Sequence, residues 1–179
     1  MRLIFMASLA ALAVLSGPAV GSDFKPIDCG STSFAFSDSA YLVDCERAES
    51  PLRVGSSSGK SVTDVINVTN DDRTIFLTVV SRTITAPRIY MEYRGLGESF
   101  RDVFNEPDVK NWESRGNKDG FDVAEFDREI SGRDSHCITV QRYTNAMHTG
   151  FKRHVIGMGC SVDNLEAVYQ LLGKLDAPG

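Results

Sequence analysis

The sequence contains few of the residues that build metal sites or nucleophilic centres, with three histidines and four cysteines among 179 residues. Structural zinc sites use closely spaced ligand pairs such as Cys-x₂₋₄-Cys. Here Cys137 and Cys160 lie far apart in the chain, and neither has a second cysteine close to it. The sequence therefore predicts neither a bound metal nor another cofactor.

Complete nucleotide and calcium motifs are also missing. The GSSSGKS stretch at residues 55–61 has too few residues between its glycines for a phosphate-binding loop and precedes a β-branched run rather than a helix. In NKDGFD, at residues 117–122, a calcium loop would place Arg115 and Phe126 at its first and last ligand positions. Neither residue binds calcium, so both stretches are interpreted as solvated loops.

Only one long apolar run is present, at residues 3–15, with Arg2 as the preceding charge. The run is too short to span a membrane, and small residues around Gly21 follow it. This pattern is typical of a secretory signal peptide that is removed before Ser22. We therefore expect export to a periplasm or the extracellular space, with no transmembrane segment after cleavage.

The remaining residues, 22–179, suffice for one domain with a single core. Arg2 is the only charged residue lost, so 18 basic and 24 acidic side chains remain and the net charge is −6. An acidic chain of this kind is not expected to bind nucleic acid.

Four cysteines in an exported protein predict two disulfides, and sequence alone allows three pairings. The local pairs Cys29–Cys45 and Cys137–Cys160 are favoured because β-rich segments flank each of them.

No strand–helix–strand alternation is visible, which disfavours a parallel sheet. The pattern predicts an α+β domain whose antiparallel sheet has a short helical insert and a C-terminal amphipathic helix packed on one face. Residues 52–61 are predicted as a loop and 88–93 as a strand. Two short helices are expected between residues 98 and 112, the second beginning near Pro107. Asp163 is the expected N-cap of the last helix.

If Cys137 faces Cys160 across an antiparallel hairpin, paired residues have numbers that sum to 297. One face then carries Tyr143 opposite His154, and the other carries Ile138 opposite Gly159 and Val140 opposite Gly157. The two glycines leave a shallow surface on which the C-terminal helix can approach closely.

The segment at residues 135–162 has no Asp or Glu but contains Arg142, Lys152 and Arg153, so its charge is +3 while the rest of the mature chain is −9. We interpret it as the contact surface of a non-catalytic binding or accessory module, such as an inhibitor or an envelope-associated factor. Its partner would be an acidic protein surface or an anionic envelope polymer. The simpler alternative is a solvated hairpin tip. The candidate binding residues are Arg142, Tyr143, His148, Lys152, Arg153 and His154.

The alternative from another class is an exported hydrolase. Glu125 and Asp127 would share one face of a strand and could supply the two carboxylates of a glycosidase. The sequence favours the non-catalytic interpretation, because catalytic carboxylates normally come from different elements around a cleft.

The signal-peptide interpretation predicts that protein recovered from an exported fraction begins at or within a few residues of Ser22. Intact-mass measurement of that fraction checks this. A mass that includes residues 1–20 would contradict the prediction.

Overall fold

The computed structural model describes residues 24–105 and 109–176, and within them an antiparallel β-sheet dominates an α+β fold. The expected signal peptide and Pro107 lie outside the described residues. The elements, in chain order, are β1 Lys25–Pro26, a 3₁₀ turn at Cys29–Ser31, β2 Ala35–Phe36, β3 Leu42–Val54, β4 Ser57–Thr69, β5 Ile75–Ile84, α1 Leu96–Phe104, β6 Lys110–Lys118, β7 Phe121–Ile130, β8 Arg133–Met147, β9 Gly150–Ser161, α2 Leu165–Gly173 and β10 Leu175–Asp176.

The main sheet has eight strands in the order β1-β3-β4-β5-β9-β8-β7-β6. Two runs of hairpins, β3 to β5 and β6 to β9, are joined side by side through the antiparallel β5–β9 pair. The connection between β5 and β6 contains α1. It leads from β5, inside the sheet, to β6, which is an edge strand. Strands β2 and β10 form a separate two-stranded sheet.

The β8–β9 hairpin lies near the centre of the sheet with the predicted register. Cys137 is opposite Cys160, Ile138 is opposite Gly159 and Tyr143 is opposite His154. The disulfide between Cys137 and Cys160 joins Cα atoms 4.1 Å apart, close to the spacing of a directly opposed antiparallel pair that exchanges no hydrogen bonds. Cys29 and Cys45 form the second disulfide and attach the N-terminal segment to β3.

One face of the sheet, here called the α2 face, packs against α2 and the N-terminal segment. Val168 and Leu171 of α2 are fully buried there, and Phe34 joins the same apolar core. A Cβ atom added to Gly159 would lie 2.5 Å from Cγ1 of Val168. Glycine at this position therefore allows the close helix approach that the hairpin pattern predicted.

The opposite face, here called the α1 face, is covered at its centre by α1. Phe100 of α1 packs on Phe126, with ring centroids 5.1 Å apart, and on the cluster that contains the central disulfide. Trp112 stacks on Phe126 from the edge strand β6. Helices therefore pack on both faces of the sheet, whereas the sequence pattern predicted a helix on one face.

The Gly- and Ser-rich stretch predicted as a loop at residues 52–61 belongs to a long hairpin. Strands β3 and β4 pair from Leu42 with Thr69 to Val54 with Ser57, leaving a two-residue turn at Gly55 and Ser56. The loop prediction was wrong because cross-strand pairing with β3 outweighs the low strand propensity of Ser and Gly.

The region between β5 and β7 also differs from the prediction. Its described residues contain one helix, α1, and β6 begins at Lys110, where the second helix was expected to continue. Residues 88–93 form no strand; only Met91 makes an isolated bridge, to Phe151. The helix prediction around Trp112 was based on local apolar spacing. Trp112 instead lies in the bulged edge strand β6, which pairs with β7.

Helix α2 begins one residue later than predicted. Its N-cap is Asn164, whose side-chain oxygen accepts a hydrogen bond from the Ala167 backbone at 3.0 Å, rather than Asp163. Asn and Asp are equally good N-caps, so the pattern alone could not decide between adjacent residues.

The close contact at Gly159 yields a stability prediction. Gly159→Ala should lower the free energy of unfolding by about 1–3 kcal/mol, because the added methyl group overpacks against Val168. Combining it with Val168→Ala should cost less than the sum of the two single changes. Chemical denaturation measures both effects.

Gly97→Ala in α1 is the matched control, since the nearest atoms to its Cβ would be 3.8 and 3.9 Å away. This control should be neutral or slightly stabilising. An equally small effect of Gly159→Ala would show that α2 does not lie so close to β9.

Candidate functional site

The six candidate residues of the β8–β9 hairpin do not form one surface. Side chains alternate between the faces of a strand, so even-numbered residues of β8 share a face with odd-numbered residues of β9. Arg142 and Arg153 therefore lie on the α2 face, and Tyr143, Lys152 and His154 lie on the α1 face. Strand alternation thus divides between two faces the residues that the basic segment at 135–162 groups together in the sequence.

Lys152 is held by backbone of the segment after β5. Its ammonium group donates hydrogen bonds to the carbonyl oxygens of Ala86 at 2.5 Å and Ile89 at 2.6 Å. It also lies 4.1 Å from the ring centroid of Tyr90. Its charge is thus used to attach this segment to β9, and Lys152 is not a free cation at the tip.

His154 is largely buried on the α1 face. Its ring stacks on Tyr143 with centroids 4.3 Å apart and an interplanar angle of 15°. Burial, reinforced by the nearby positive charge of Arg82, lowers the pKa of His154 to about 4. The ring is therefore neutral at pH 6 and adds no positive charge to the hairpin there.

Tyr143 has internal partners as well. Its hydroxyl accepts a hydrogen bond from the Arg94 backbone at 3.3 Å, and its ring contacts Tyr93 and Phe151. Tyr143 and His154 thus belong to an aromatic cluster that packs β9 against the segment before α1. His148 is exposed in the turn between β8 and β9.

Arg142 and Arg153 are the two candidate residues that remain available for an anion. The two arginines are diagonal neighbours across β8 and β9, since Arg142 is opposite Val155 and Arg153 is opposite Thr144. Such diagonal Cα atoms are typically about 7–8 Å apart. We call these two residues the arginine pair.

The arginine pair has side-chain contacts but no carboxylate partner in the described part of the chain. The Arg142 guanidinium lies 5.4 Å from the ring centroid of Phe121. Nε of Arg153 donates to the Thr83 hydroxyl at 3.2 Å. These contacts orient both groups while leaving most of their N–H donors unused.

Two carboxylates of β3 and β4 on the same face have cationic partners. Asp64 is paired with Arg47 at 2.6 Å, and Glu49 is paired with Lys60 at 2.9 Å. The register of β3, β4 and β5 places all four side chains on the α2 face. Among the described residues, Arg142 and Arg153 are cations of this face without a carboxylate partner, and Arg53 of β3 is another.

Hydroxyl groups accompany the arginine pair. Ser81 and Thr144 lie on the same face, and in the described part of the chain their buried hydroxyl oxygens have no hydrogen-bond partner. Thr83 and Phe121 hold the two guanidinium groups but were not singled out from the sequence. The register alone could have indicated them, because Thr83 is opposite Arg153 and Phe121 lies on the strand beside Arg142.

The carboxylates of the hydrolase alternative are tied into separate contacts. Glu125 is paired with Arg115 at 2.6 Å and accepts a hydrogen bond from Tyr169, and the Arg115 contact is the main cause that lowers its pKa. Asp127 accepts from Asn111, the larger cause of its lowered pKa, and contacts His136. A glycosidase acid needs a raised pKa, and neither carboxyl group has one.

No protein-family model, curated protein or solved structure matches this chain.

Within residues 24–105 and 109–176, no three His, Cys, Asp or Glu side chains are grouped so that they could hold a metal ion. Among the same residues, no helix is long and apolar enough to cross a membrane.

The burial of His154 predicts a pH dependence of stability. The folded protein takes up this proton near pH 4, and an unfolded chain does so near its ordinary pKa of 6.5. The unfolded state therefore binds more protons in this window, and the free energy of unfolding should fall, by up to about 3 kcal/mol, as the pH decreases from 6.5 to 4.

Denaturant titrations across this pH range measure the effect. His154→Gln should flatten the slope relative to wild type, whereas His148→Gln, at the exposed turn, should preserve it. Carboxylates that titrate below pH 5 affect all three proteins, so the difference between slopes is the relevant quantity. Equal slopes for wild type and His154→Gln would contradict the assignment.

Proposed function

We propose that this protein is an exported, non-catalytic binding module that contacts an anionic partner through the arginine pair on the α2 face. The observation that carries the proposal is the lack of a carboxylate partner for Arg142 and Arg153 among the described residues, in a chain whose net charge is −5. In such a chain, two oriented guanidinium groups without an internal anion are suited to an external one.

The chemistry of arginine supports this proposal. A guanidinium group presents a planar set of N–H donors that fits a carboxylate, sulfate or phosphate through two parallel hydrogen bonds. In the arginine pair, Phe121 and Thr83 limit the motion of the two side chains. Less side-chain entropy is lost on binding when the free side chains are already oriented.

The placement of the charges along the sheet favours a polymer over a compact partner. The arginine pair lies on strands beyond the region where α2 packs, with two further ion pairs on the same face. Two cations spaced along a sheet can contact successive charges of a repeating anionic chain. We therefore favour an anionic envelope polymer, and an acidic protein surface is the alternative outcome of the test.

The two disulfides support the export part of the proposal. Bonds of this kind persist in oxidising compartments and are rare in the cytosol. They are compatible with the periplasmic or extracellular location inferred from residues 1–21.

The function is tested with immobilised anionic polymers that carry carboxylate, sulfate or phosphate groups. Arg142→Ala/Arg153→Ala should weaken binding roughly tenfold, which corresponds to about 1.4 kcal/mol. Wild-type binding should also weaken between 50 and 300 mM salt, because added salt screens the attraction between the two arginines and the polymer's charges. Arg142→Lys/Arg153→Lys keeps the charge and should recover only part of the affinity.

The matched control is Arg101→Ala/Lys110→Ala, which removes the same charge from exposed positions in α1 and β6. This variant should bind like wild type. Equal losses in both double variants would show that only net charge matters. Unchanged polymer binding by a folded arginine-pair variant would contradict the proposal, and capture of an acidic protein instead would change the partner class.

A further inference from the structure

A depression lies on the α1 face, on the opposite side of the sheet from the arginine pair. It is open to solvent, has a volume of about 260 Å³, and is formed where the start of α1 meets the β6–β7 hairpin. Its lining combines an aromatic ring, an aliphatic side chain and several polar groups: Tyr93, Leu96, Ser114, Gly116, Asn117 and Asp122.

Tyr93 is the large exposed surface of this depression. Its side chain is 59% exposed, which is high for an aromatic residue. The ring is nevertheless fixed, because its hydroxyl donates to Oδ2 of Asp122 at 3.1 Å and its inner side contacts the Tyr143 ring at 5.3 Å. Tyr93 is therefore an oriented aromatic platform that a ligand can contact without ordering it first.

Asp122 is held from three directions. Oδ2 accepts from Tyr93 and from the buried Gln141 amide at 3.4 Å, and Oδ1 accepts from the Asn117 amide at 3.2 Å. Three donors disperse the negative charge of the carboxylate and fix its plane. A cation is therefore not needed to compensate it, and a second anion would be repelled by it.

Unused hydrogen-bonding capacity remains beside the aromatic ring. A carboxylate oxygen can accept two hydrogen bonds, so Oδ1 of Asp122 can accept one more. The Asn117 amide has a second N–H, and the Ser114 hydroxyl proton has no acceptor among the described residues. The depression thus offers one free acceptor and two free donors among the residues that line it together with the exposed Tyr93 ring.

We propose that this depression binds one neutral sugar ring of a glycan. A pyranose has an apolar C–H face that packs on an aromatic ring, and neighbouring hydroxyl groups that each donate and accept. Such a pair of hydroxyls matches the free acceptor on Asp122 and the free donors on Asn117 and Ser114. An anionic ligand fits poorly because of the carboxylate, and a purely apolar one would leave these polar groups unpaired.

This site is independent of the arginine pair, because the two lie on opposite faces of the sheet. Failure of one proposal therefore leaves the other intact, and the two can be measured separately on one set of proteins. The Arg142→Ala/Arg153→Ala variant serves as a folded control with an unaltered depression.

The test uses the exported form of the protein and a panel of neutral hexasaccharides made of glucose, xylose, mannose or N-acetylglucosamine, up to 10 mM. Saturation-transfer NMR identifies the bound sugar, and titration calorimetry measures its affinity. We expect one member to bind, and Tyr93→Ala to weaken it at least tenfold. Tyr93→Phe keeps the ring and loses the bond to Asp122, so its loss should be smaller.

Deoxy analogues of the bound sugar separate specific recognition from stacking alone. Removing the hydroxyl that contacts Asp122 should reduce affinity at least tenfold, since a site built around a hydroxyl rejects an analogue that lacks it. The arginine-pair variant should bind the sugar like wild type. Three results would each overturn the proposal. They are no binding by any panel member, equal affinity of Tyr93→Ala and wild type, and preferential binding of a tetraalkylammonium ion.

Discussion

The register of the β8–β9 hairpin is the constraint on which the rest of the structure depends. The Cys137–Cys160 disulfide joins directly opposed residues near the centre of an eight-stranded sheet. Strand side chains have a period of two, so a slip by one residue would exchange every side chain between faces. In the observed register, Gly157 and Gly159 lie on the face where α2 packs, while Ile156 and Met158 lie beneath α1. Both cores therefore require the same pairing that the disulfide makes.

This register could be predicted because its signals are local. Two cysteines, two glycines and a polar turn occur within one continuous stretch and agree on a single pairing. The β6 strand could not be predicted in this way, because the apolar spacing around Trp112 fits a helix and the stacking of that ring on Phe126 comes from tertiary contact. The Gly- and Ser-rich hairpin end at residues 55–61 likewise has strand pairing that outweighs its local propensity.

The candidate site was predictable only in part. The separation of Arg142 from Tyr143 and His154 follows from strand alternation, so it was available from the sequence once the register was accepted. The partners of Lys152 were not, because the carbonyl oxygens of Ala86 and Ile89 belong to an irregular segment distant in the chain. A cation in a hairpin is therefore a candidate for binding only when it has no acceptor or carboxylate partner within the protein. Of the three cations at residues 135–162, Lys152 has such partners, and Arg142 and Arg153 have no carboxylate partner among the described residues.

The same logic explains why the sheet can have distinct surfaces on its two sides. Helix α1 packs mainly on β7 and β8, and α2 mainly on β5, β8 and β9, so neither helix covers the whole sheet. The region near the β8–β9 turn has different groups on its two faces. On the α1 face, Lys152, His154 and Tyr143 fill this region by holding the segment between β5 and α1, which in turn positions Tyr93 at the rim of the depression. On the α2 face, Arg142 and Arg153 contact the Phe121 ring and the Thr83 hydroxyl among the described residues. The aromatic residues of the hairpin thus hold Tyr93 in place on one face, while Arg142 and Arg153 lie on the other face, where the proposed contact with an anion would be made.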